Sequence, residues 1–502
     1  MLKVKFILQT GLLIACGVSS LYSKEPTVPN SVPDSNVDVS TMVPAIPATP
    51  ISLSEYVESV INRSLNALNT KSSFQGTTYS YKGTRRDLTA PRLSVTGSSS
   101  RTRSKAATSD AITDSASSSL SLSQPFLWGG DLSGTASGST SRTYTDTLSN
   151  GALTSSATSF DRNSPSLSLS YRQALPIFIG IQRSRSWRKN NLGYRISTNS
   201  FDRDLQSIDL DARSLYYDAL VSLAKTAVEK EKLKSSKILL SISKALVEAG
   251  KSAPVELTRA QISYKLDERR VRNAEVSTQQ TLTSFKNLVL IPDDVPVELT
   301  SKMQYAPTKL SLKDLQEYAL QRRLDFQNSK INVTLSEISL KESKETNRPV
   351  LSAGASYKID APTSLDRPET WEANASLSWS FFDSRINALR VKQQKISLEN
   401  TKRQLELQRR GILVEVQNGY LELMRTDEQI ADFSETRKQA EDNVAAVRLR
   451  YERGLDRLID VFDAENKLRE LDLEYLNLLV SFNKARDKLG FLIGTKIEEA
   501  FK

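Results

Sequence analysis

The chain has 502 residues, 25% of them charged, and its mean hydropathy of −0.38 is typical of a protein that faces water. It contains no histidine and a single cysteine, so it lacks the commonest general base, the commonest metal ligand and any internal disulfide. Lys and Arg exceed Asp and Glu by 10, but these charges are spread along helical patterns rather than clustered. We therefore expect no catalytic residues, no cofactor, no metal site and no nucleic-acid partner.

An export signal is indicated where Lys3 and Lys5 precede an apolar run over residues 6–18 that is too short to span a membrane. Two maturation sites compete. The sequence Leu-Ile-Ala-Cys at residues 13–16 resembles a bacterial lipobox, which would remove residues 1–15 and leave a lipidated Cys16. Cleavage after Ser23 would instead discard the cysteine with a signal peptide of residues 1–23. Residues 24–50 are rich in Pro, Ser, Thr and Val without periodicity, which predicts a disordered leader.

From residue 51 onward one structural unit occurs twice, which predicts repeats at residues 51–300 and 301–495 and a tail at 496–502. Ser52 begins a short helix in the first copy and Ser311 begins its counterpart, each serine acting as a cap. Segments of alternating apolar and serine residues then predict two strands in each copy. The strands are Ala90–Val95 and Leu167–Tyr171 in the first copy, and Arg348–Ala353 and Leu377–Phe381 in the second.

A long helix follows the second strand of each copy. Apolar residues recur at helical spacing, with no proline, from Asp383 to Arg453, which predicts a helix of roughly 105 Å. The segment Tyr451–Asp463 interrupts this pattern and predicts the tip of an antiparallel helical hairpin. The returning helix is expected to end at Gly490 and Gly494, because glycine can take the left-handed conformation that ends a helix.

The tip of the first copy is expected at Ala249–Leu257. Glu256 follows Gly250 by six residues, as Asp460 follows Gly454, so the two tips are in register. Asp460 and Asp463 are three residues apart and therefore share a helix face.

The two copies differ in length between their first strand and their tip. From Pro91 to Gly250 is 159 residues, whereas from Pro349 to Gly454 is 105, so the first copy carries 54 more. Most of this insertion lies within residues 104–163, which are dominated by Ser, Thr, Gly and Ala. It is either a flexible surface loop or an extra hairpin of strands, since residues 119–131 have the pattern of a strand and turn.

This order of elements resembles the TolC-like outer membrane efflux proteins over about residues 51–495. The most specific part is Arg450–Leu468, with the sequence RYERGLDRLIDVFDAENKL, followed by Leu-Gly at 489–490 and Ile-Gly at 493–494. The resemblance implies a mainly α fold with β strands: a trimer in which each chain gives four strands to a shared transmembrane β-barrel, above a long periplasmic α-helical barrel. It also implies an outer membrane location in contact with lipid, and a passive conduit joined through a periplasmic adaptor protein to an inner-membrane pump, for efflux or type I secretion.

The resemblance also implies roles for residues at the tips. Acidic side chains ring the closed end of the channel in that family, and they correspond to Asp460 and Asp463. The alternative is that both are first-turn acids favoured by the helix dipole. The resemblance assigns contacts between the hairpins to Tyr451, Glu256, Asp456 and Arg457, and adaptor-facing positions to Gly250, Gly454 and Leu455. Asp456 stands where the family's best-known member has an arginine, with Arg457 beside it.

A structural or adhesive coiled-coil protein of the cell envelope is the alternative function. A sustained seven-residue apolar seam without strands would favour that alternative. The proline-led strand pairs, each followed by a long helix, favour the channel. An enzyme is the third candidate, and the absence of histidine and of any nucleophile motif argues against it.

Overall fold

The computed structural model describes residues 50–106, 109–149, 152–175, 181–293, 295–301, 303, 305, 310–360, 368–453 and 455–495. The signal, the leader, Cys16, Gly454 and the tail lie outside the described residues. The described part divides into two runs of elements in the same order. The helices are α1 (Leu53–Arg63), α2 (Leu65–Thr89), α3 (Gln182–Glu248), α4 (Pro254–Val289), α5 (Leu312–Arg322), α6 (Leu324–Glu345), α7 (Ile386–Glu452) and α8 (Leu458–Ile493). The strands are β1 (Arg92–Ala106), β2 (Ser109–Pro125), β3 (Gly130–Ser149), β4 (Ala152–Leu175), β5 (Val350–Asp360) and β6 (Glu369–Ser378).

Three of the four pairs of corresponding helices have equal lengths, and the fourth pair, α2 and α6, has 25 and 22 residues. The long helices α3 and α7 have 67 residues each, the returning helices α4 and α8 have 36 each, and the short helices α1 and α5 have 11 each. A helix of 67 residues extends about 100 Å at about 1.5 Å per residue. The predicted long helix and tip are therefore confirmed.

The two predicted serine caps differ. The Ser52 side chain accepts a hydrogen bond from Glu55 N at 3.3 Å, and the Glu55 carboxylate accepts one from Ser52 N at 2.9 Å. This reciprocal pair satisfies two backbone donors at the start of α1. Ser311 holds the same position before α5, but its side chain makes no capping hydrogen bond within the described residues. Ser311 therefore holds the predicted N-cap position, but the prediction that its side chain caps α5 is wrong.

The strands form one antiparallel sheet in the order β1-β2-β3-β4-β5-β6. Strands β2 and β3 lie wholly within residues 104–163, so the extra-hairpin interpretation is confirmed and the flexible-loop interpretation is wrong. The resemblance implies four strands per chain, whereas the sheet of the described residues has six. The last predicted strand also ends earlier than expected, at Ser378 rather than Phe381.

The four long helices contact one another in the order α4-α3-α8-α7, so α4 and α7 are the outer members. At Gly419 α7 lies close to α8, since a Cβ there would lie 2.9 Å from Leu492 Cδ1 and that side chain would have to shift. Gly494 ends α8 with a left-handed φ of 75°, as predicted, whereas Gly490 lies inside the helix. Among the described residues, none of the helices has the length and apolar content that a membrane span requires.

Candidate functional site at the helical tips

The two tips close with the same backbone hydrogen bond. Lys251 N–H donates to Leu246 O at 2.9 Å in the first hairpin, and Leu455 N–H donates to Arg450 O at 2.9 Å in the second. Each bond spans five residues, which is the pattern that satisfies free carbonyls at the end of a helix. Gly250 has a φ of 70°, the left-handed conformation that glycine adopts without strain.

Glu256 and Asp460 are each the third residue of their returning helix. Glu256 N–H donates to Ala253 O at 3.0 Å, and Asp460 N–H donates to Arg457 O at 3.1 Å. Their side chains differ. The Glu256 side chain is 19% exposed and accepts from Arg259 at 3.0 Å, whereas Asp460 is exposed and accepts from Arg457 N at 3.1 Å. Asp460 therefore has both the exposure of a channel-lining acid and the local contact of a first-turn acid.

The other acids of the second tip have separate surroundings. Asp463 is exposed one turn beyond Asp460. Asp456 pairs with Arg450 at 3.0 Å on the same tip, while Arg457 is exposed. Asp456 thus forms a local ion pair within the second hairpin.

Tyr451 is buried at 4% exposure where all four long helices meet. Its hydroxyl lies 3.0 Å from the Ser243 hydroxyl on α3. Burial raises the pKa of Tyr451, the hydrogen bond to Ser243 lowers it, and the nearby charge of Glu256 raises it further. The structure thus brings Tyr451 and Glu256 near each other, but the tyrosine's hydrogen bond is to a serine. The apolar residues around Tyr451 are Leu239, Ala260, Leu458, Val461 and Phe462.

A buried ionic group that sequence reasoning missed lies just behind the tips. The Glu465 carboxylate contacts Lys232 Nζ at 2.5 Å, Ser235 Oγ at 2.7 Å and Arg448 Nη2 at 2.6 Å. Burial by itself would raise the pKa of Glu465, but the charge of Lys232 and the hydrogen bonds of the three partners lower it below its ordinary value. A sequence signal did exist, because Glu465 follows the buried Val461 by one helical turn.

Further polar contacts join α3 to α8 along their length, and they connect the first hairpin to the second. They are Glu229 with Arg469 at 3.0 Å, Asp218 with Lys484 at 2.7 Å, and Tyr217 with Asp487 at 3.0 Å. The hairpins of one chain are thus tied to each other by paired charges and hydrogen bonds as well as by apolar packing.

The outer helices α4 and α7 leave large apolar side chains exposed. Ile262 and Val276 on α4 are more than half exposed, as are Leu407, Val414 and Leu421 on α7. Apolar surface repeated along a helix marks a contact with another surface. The layer of four helices therefore has two apolar outer sides.

Paired hairpins of long helices, joined to an antiparallel sheet, define the class of channel-forming envelope proteins. A model of the outer membrane efflux protein family matches residues 131–289 and 315–495, about two thirds of the chain. The chain therefore belongs to the outer membrane efflux protein family. It is an outer membrane channel whose helices extend into the periplasm, and no observation supports the coiled-coil alternative.

Solved outer membrane channels share this fold. The open-state structure of MtrE from Neisseria gonorrhoeae has a TM-score of 0.64 at 15% identity, covering 91% of this chain and 94% of that one. CusC, which changes conformation on folding and transmembrane channel formation, has a TM-score of 0.65 at 13% identity, covering 91% of this chain and 96% of that one. CmeC from Campylobacter jejuni has a TM-score of 0.62 at 13% identity, covering 88% and 85%. No curated protein sequence matches this chain.

Proposed function

We propose that three copies of this chain form one passive conduit, the outer membrane member of a tripartite efflux or type I secretion system. The observation that carries the proposal is the pair of apolar outer sides on α4 and α7. If α4 of one copy packs on α7 of the next, both sides are covered at once and the layer closes into a tube. Such a head-to-tail contact forms a ring when its rotation closes. The number three follows the family resemblance.

The tips are the expected meeting place with a periplasmic adaptor protein, which in turn contacts an inner-membrane pump. Leu455 is 68% exposed beside Gly454, and Val255 is 54% exposed on the first residues of α4, close to Gly250. Each tip thus presents an apolar side chain beside a glycine turn. A partner helix that buries both side chains would gain about 25 cal/mol per Å² of apolar area.

Asp460 and Asp463 would form the constriction. Threefold symmetry would place six carboxylates around the axis, where charges of one sign focus the field and attract cations. The conduit itself catalyses no reaction, and transport would be driven by the pump.

The mass of the detergent-extracted particle and its conductance in planar bilayers test the trimeric conduit. We expect three chains per particle and discrete conductance steps. Val276→Asp should weaken the trimer by placing a charge in the contact between copies, whereas Ile238→Asp, on the inner helix α3, should not. A particle of one chain that conducts nothing would overturn the proposal.

Adaptor docking has its own test. Leu455→Asp with Val255→Asp should abolish cross-linking of the adaptor to the tips, and Leu455→Asp alone, in the turn between α7 and α8, should weaken it while the bilayer conductance persists. Leu223→Asp, on α3 and distant from the tips, is the matched control. Unchanged cross-linking in the double variant would contradict the assignment of the tips.

A further inference from the structure

All six strands present the same two-faced pattern. Strand pairing places Leu93 and Val95 of β1 opposite Leu122 and Leu120 of β2, on one face of the sheet. The same face carries apolar residues from β3 to β6: Leu132, Leu167, Leu169, Leu351, Ile359, Trp371 and Leu377. The inserted strands β2 and β3 therefore also contribute to the apolar face, β2 through Leu120 and Leu122 and β3 through Leu132.

The opposite face is mostly polar. Serine and threonine hydroxyls pair across neighbouring strands, as Thr96 with Ser119 at 2.6 Å, Ser133 with Ser170 at 2.7 Å, and Ser352 with Ser376 at 2.7 Å. A sheet with a band of apolar residues on one face and mostly polar residues on the other suits a wall between lipid and water. If β2 and β3 left this wall as a surface hairpin, Leu120 and Leu122 would be transferred from lipid to water.

The sheet has two unpaired edges of opposite direction. Within the described strands, β1 pairs only with β2 and β6 pairs only with β5. Because every pairing is antiparallel and the number of strands is even, β6 of one copy runs antiparallel to β1 of the next. Unpaired backbone groups at a lipid-facing edge are costly, so each edge requires a partner strand.

We infer that the edges of β1 and β6 are the contact surfaces between copies of this chain, and that three copies close an eighteen-stranded sheet to which each gives six strands. This inference rests on the trimer proposed above. Barrel diameter grows roughly linearly with strand number, so this barrel would be about 1.5 times as wide as one built from four strands per chain. The wider lumen fits bulkier cargo than a twelve-stranded barrel passes.

Strands β1 to β4 also continue beyond the part of the sheet that carries the apolar residues listed above. The pairing of β4 with β5 ends at Ser166 and Asp360, and among the described residues the part of β4 before Ser166 pairs only with β3. In this region the face that carried leucines carries charges, and Arg101 and Arg103 of β1 pair with Asp114 and Asp110 of β2 at 2.6 Å. This part of the sheet stands beyond the lipid, on the side away from the helices, which accounts for its charged surface.

Electron cryomicroscopy of the full chain in lipid nanodiscs counts the strands directly. We expect eighteen, with β1 of each copy beside β6 of its neighbour. Twelve strands, with β2 and β3 outside the closed sheet, would overturn the inference while leaving the trimeric conduit intact.

Spin labels on single cysteines, in protein reconstituted into lipid vesicles, test whether β2 lies in the wall between lipid and water. The mature chain has no free thiol if Cys16 is either removed or lipidated, so introduced cysteines are labelled alone. A label at Leu120→Cys should be several-fold more accessible to lipid-soluble oxygen than to a water-soluble nickel chelate, and a label at Ser119→Cys should show the reverse. Leu377→Cys and Ser376→Cys on β6 are the matched pair.

The labelling results distinguish failure of the six-strand inference from failure of the proposed conduit. Lipid contact at Leu377 with water contact at Leu120 would show that β2 lies outside the wall, which overturns the six-strand inference only. Water contact at all four positions, together with a particle of one chain, would overturn the proposed conduit as well.

Discussion

The Tyr451 hydroxyl lies 3.0 Å from the Ser243 hydroxyl, and this buried hydrogen bond joins the second hairpin of the chain to the first at the tips. The two residues are 208 positions apart in the sequence. Glu256 lies close enough for its charge to affect the pKa of the tyrosine. Separation of the two hairpins would open the tips and break this bond. Substitutions that remove the bond therefore test whether it holds the tips closed.

Tyr451→Phe should lower the free energy of unfolding by about 1 kcal/mol, the usual net value of one hydrogen bond, and should raise the resting conductance in planar bilayers. Ser243→Ala should have a similar effect. The double variant should cost less than the sum of the two single variants, because both remove the same bond. Adding Glu256→Gln to Tyr451→Phe should loosen the tips further.

Tyr264→Phe, on α4 outside the Tyr451 cluster, is the control and should leave the conductance unchanged. Strictly additive effects of Tyr451→Phe and Ser243→Ala would show that the bond does not couple the hairpins.

Glu465→Gln should destabilise the helical part by about 3–5 kcal/mol, because it leaves the buried charge of Lys232 without its carboxylate. Thermal unfolding followed by circular dichroism measures this loss. Glu470→Gln, which removes an exposed ion pair with Lys467, is the matched control and should cause little change. Equal effects of the two variants would contradict a structural role for the buried group.

The same glutamate predicts acid sensitivity. The pKa of Glu465 is lowered in the folded protein, so its contribution to stability is complete above the ordinary pKa of about 4.5 and is lost as the pH falls through the folded value. The unfolding temperature of the parent protein should therefore fall on acidification below about pH 4.5 more steeply than that of Glu465→Gln. Parallel curves for the two proteins would contradict this linkage.

The charge of Asp487 should affect the stability of the fold in the opposite way to the charge of Glu465. Its carboxylate is fully buried and accepts from the Tyr217 hydroxyl at 3.0 Å, and burial raises its pKa despite the nearby charge of Arg486. At neutral pH the folded protein therefore holds a charge that the unfolded chain accommodates more easily. Asp487→Asn keeps an acceptor for Tyr217 and removes this charge, so the unfolding temperature at pH 7 should be unchanged or higher.

Asp487→Ala supplies the contrast. It leaves the buried Tyr217 hydroxyl without an acceptor, at a cost of about 1–3 kcal/mol. A loss for Asp487→Asn as large as that for Glu465→Gln would show that the carboxylate charge itself stabilises the fold.

The double variant Asp460→Asn with Asp463→Asn tests the constriction. In the trimer, the parent channel should be cation-selective and blocked from the periplasmic side by multivalent cations, with block that weakens as salt screens the carboxylates. The double variant should relieve the block without disturbing assembly, because both side chains are exposed. Single-channel recordings with added trivalent cation measure the change.

Asp456→Asn is the control on the same tip, since Asp456 pairs locally with Arg450. If the double variant keeps the selectivity and the block of the parent, Asp460 serves only as a first-turn acid of α8 and Asp463 only as an exposed acid one turn further on.

The sequence by itself determined six of the eight described helices, the tips and four of the six described strands, whereas α2 and α6 were not predicted. Helical periodicity without proline set the extent of α7, and glycine followed by the first turn of a returning helix marked both tips. These signals are local, because a helix and its turn are specified by residues within a few positions of one another. The register of Glu256 with Asp460 could therefore be deduced by counting from the glycines.

Only the tertiary structure decided the six-stranded sheet and the contacts between the hairpins. In β2 and β3 the residues are mostly Ser, Thr, Gly and Ala, so the period-two signal is weak until neighbouring strands align Leu120 and Leu132 on one face. The partner of Glu465 on α3 is Lys232, 233 positions away, and no periodicity relates the two. A buried ion pair depends on which helices meet. The packing of α3 against α8 brings Lys232 to Glu465, which lowers the pKa of Glu465, and buries Asp487, which raises the pKa of Asp487.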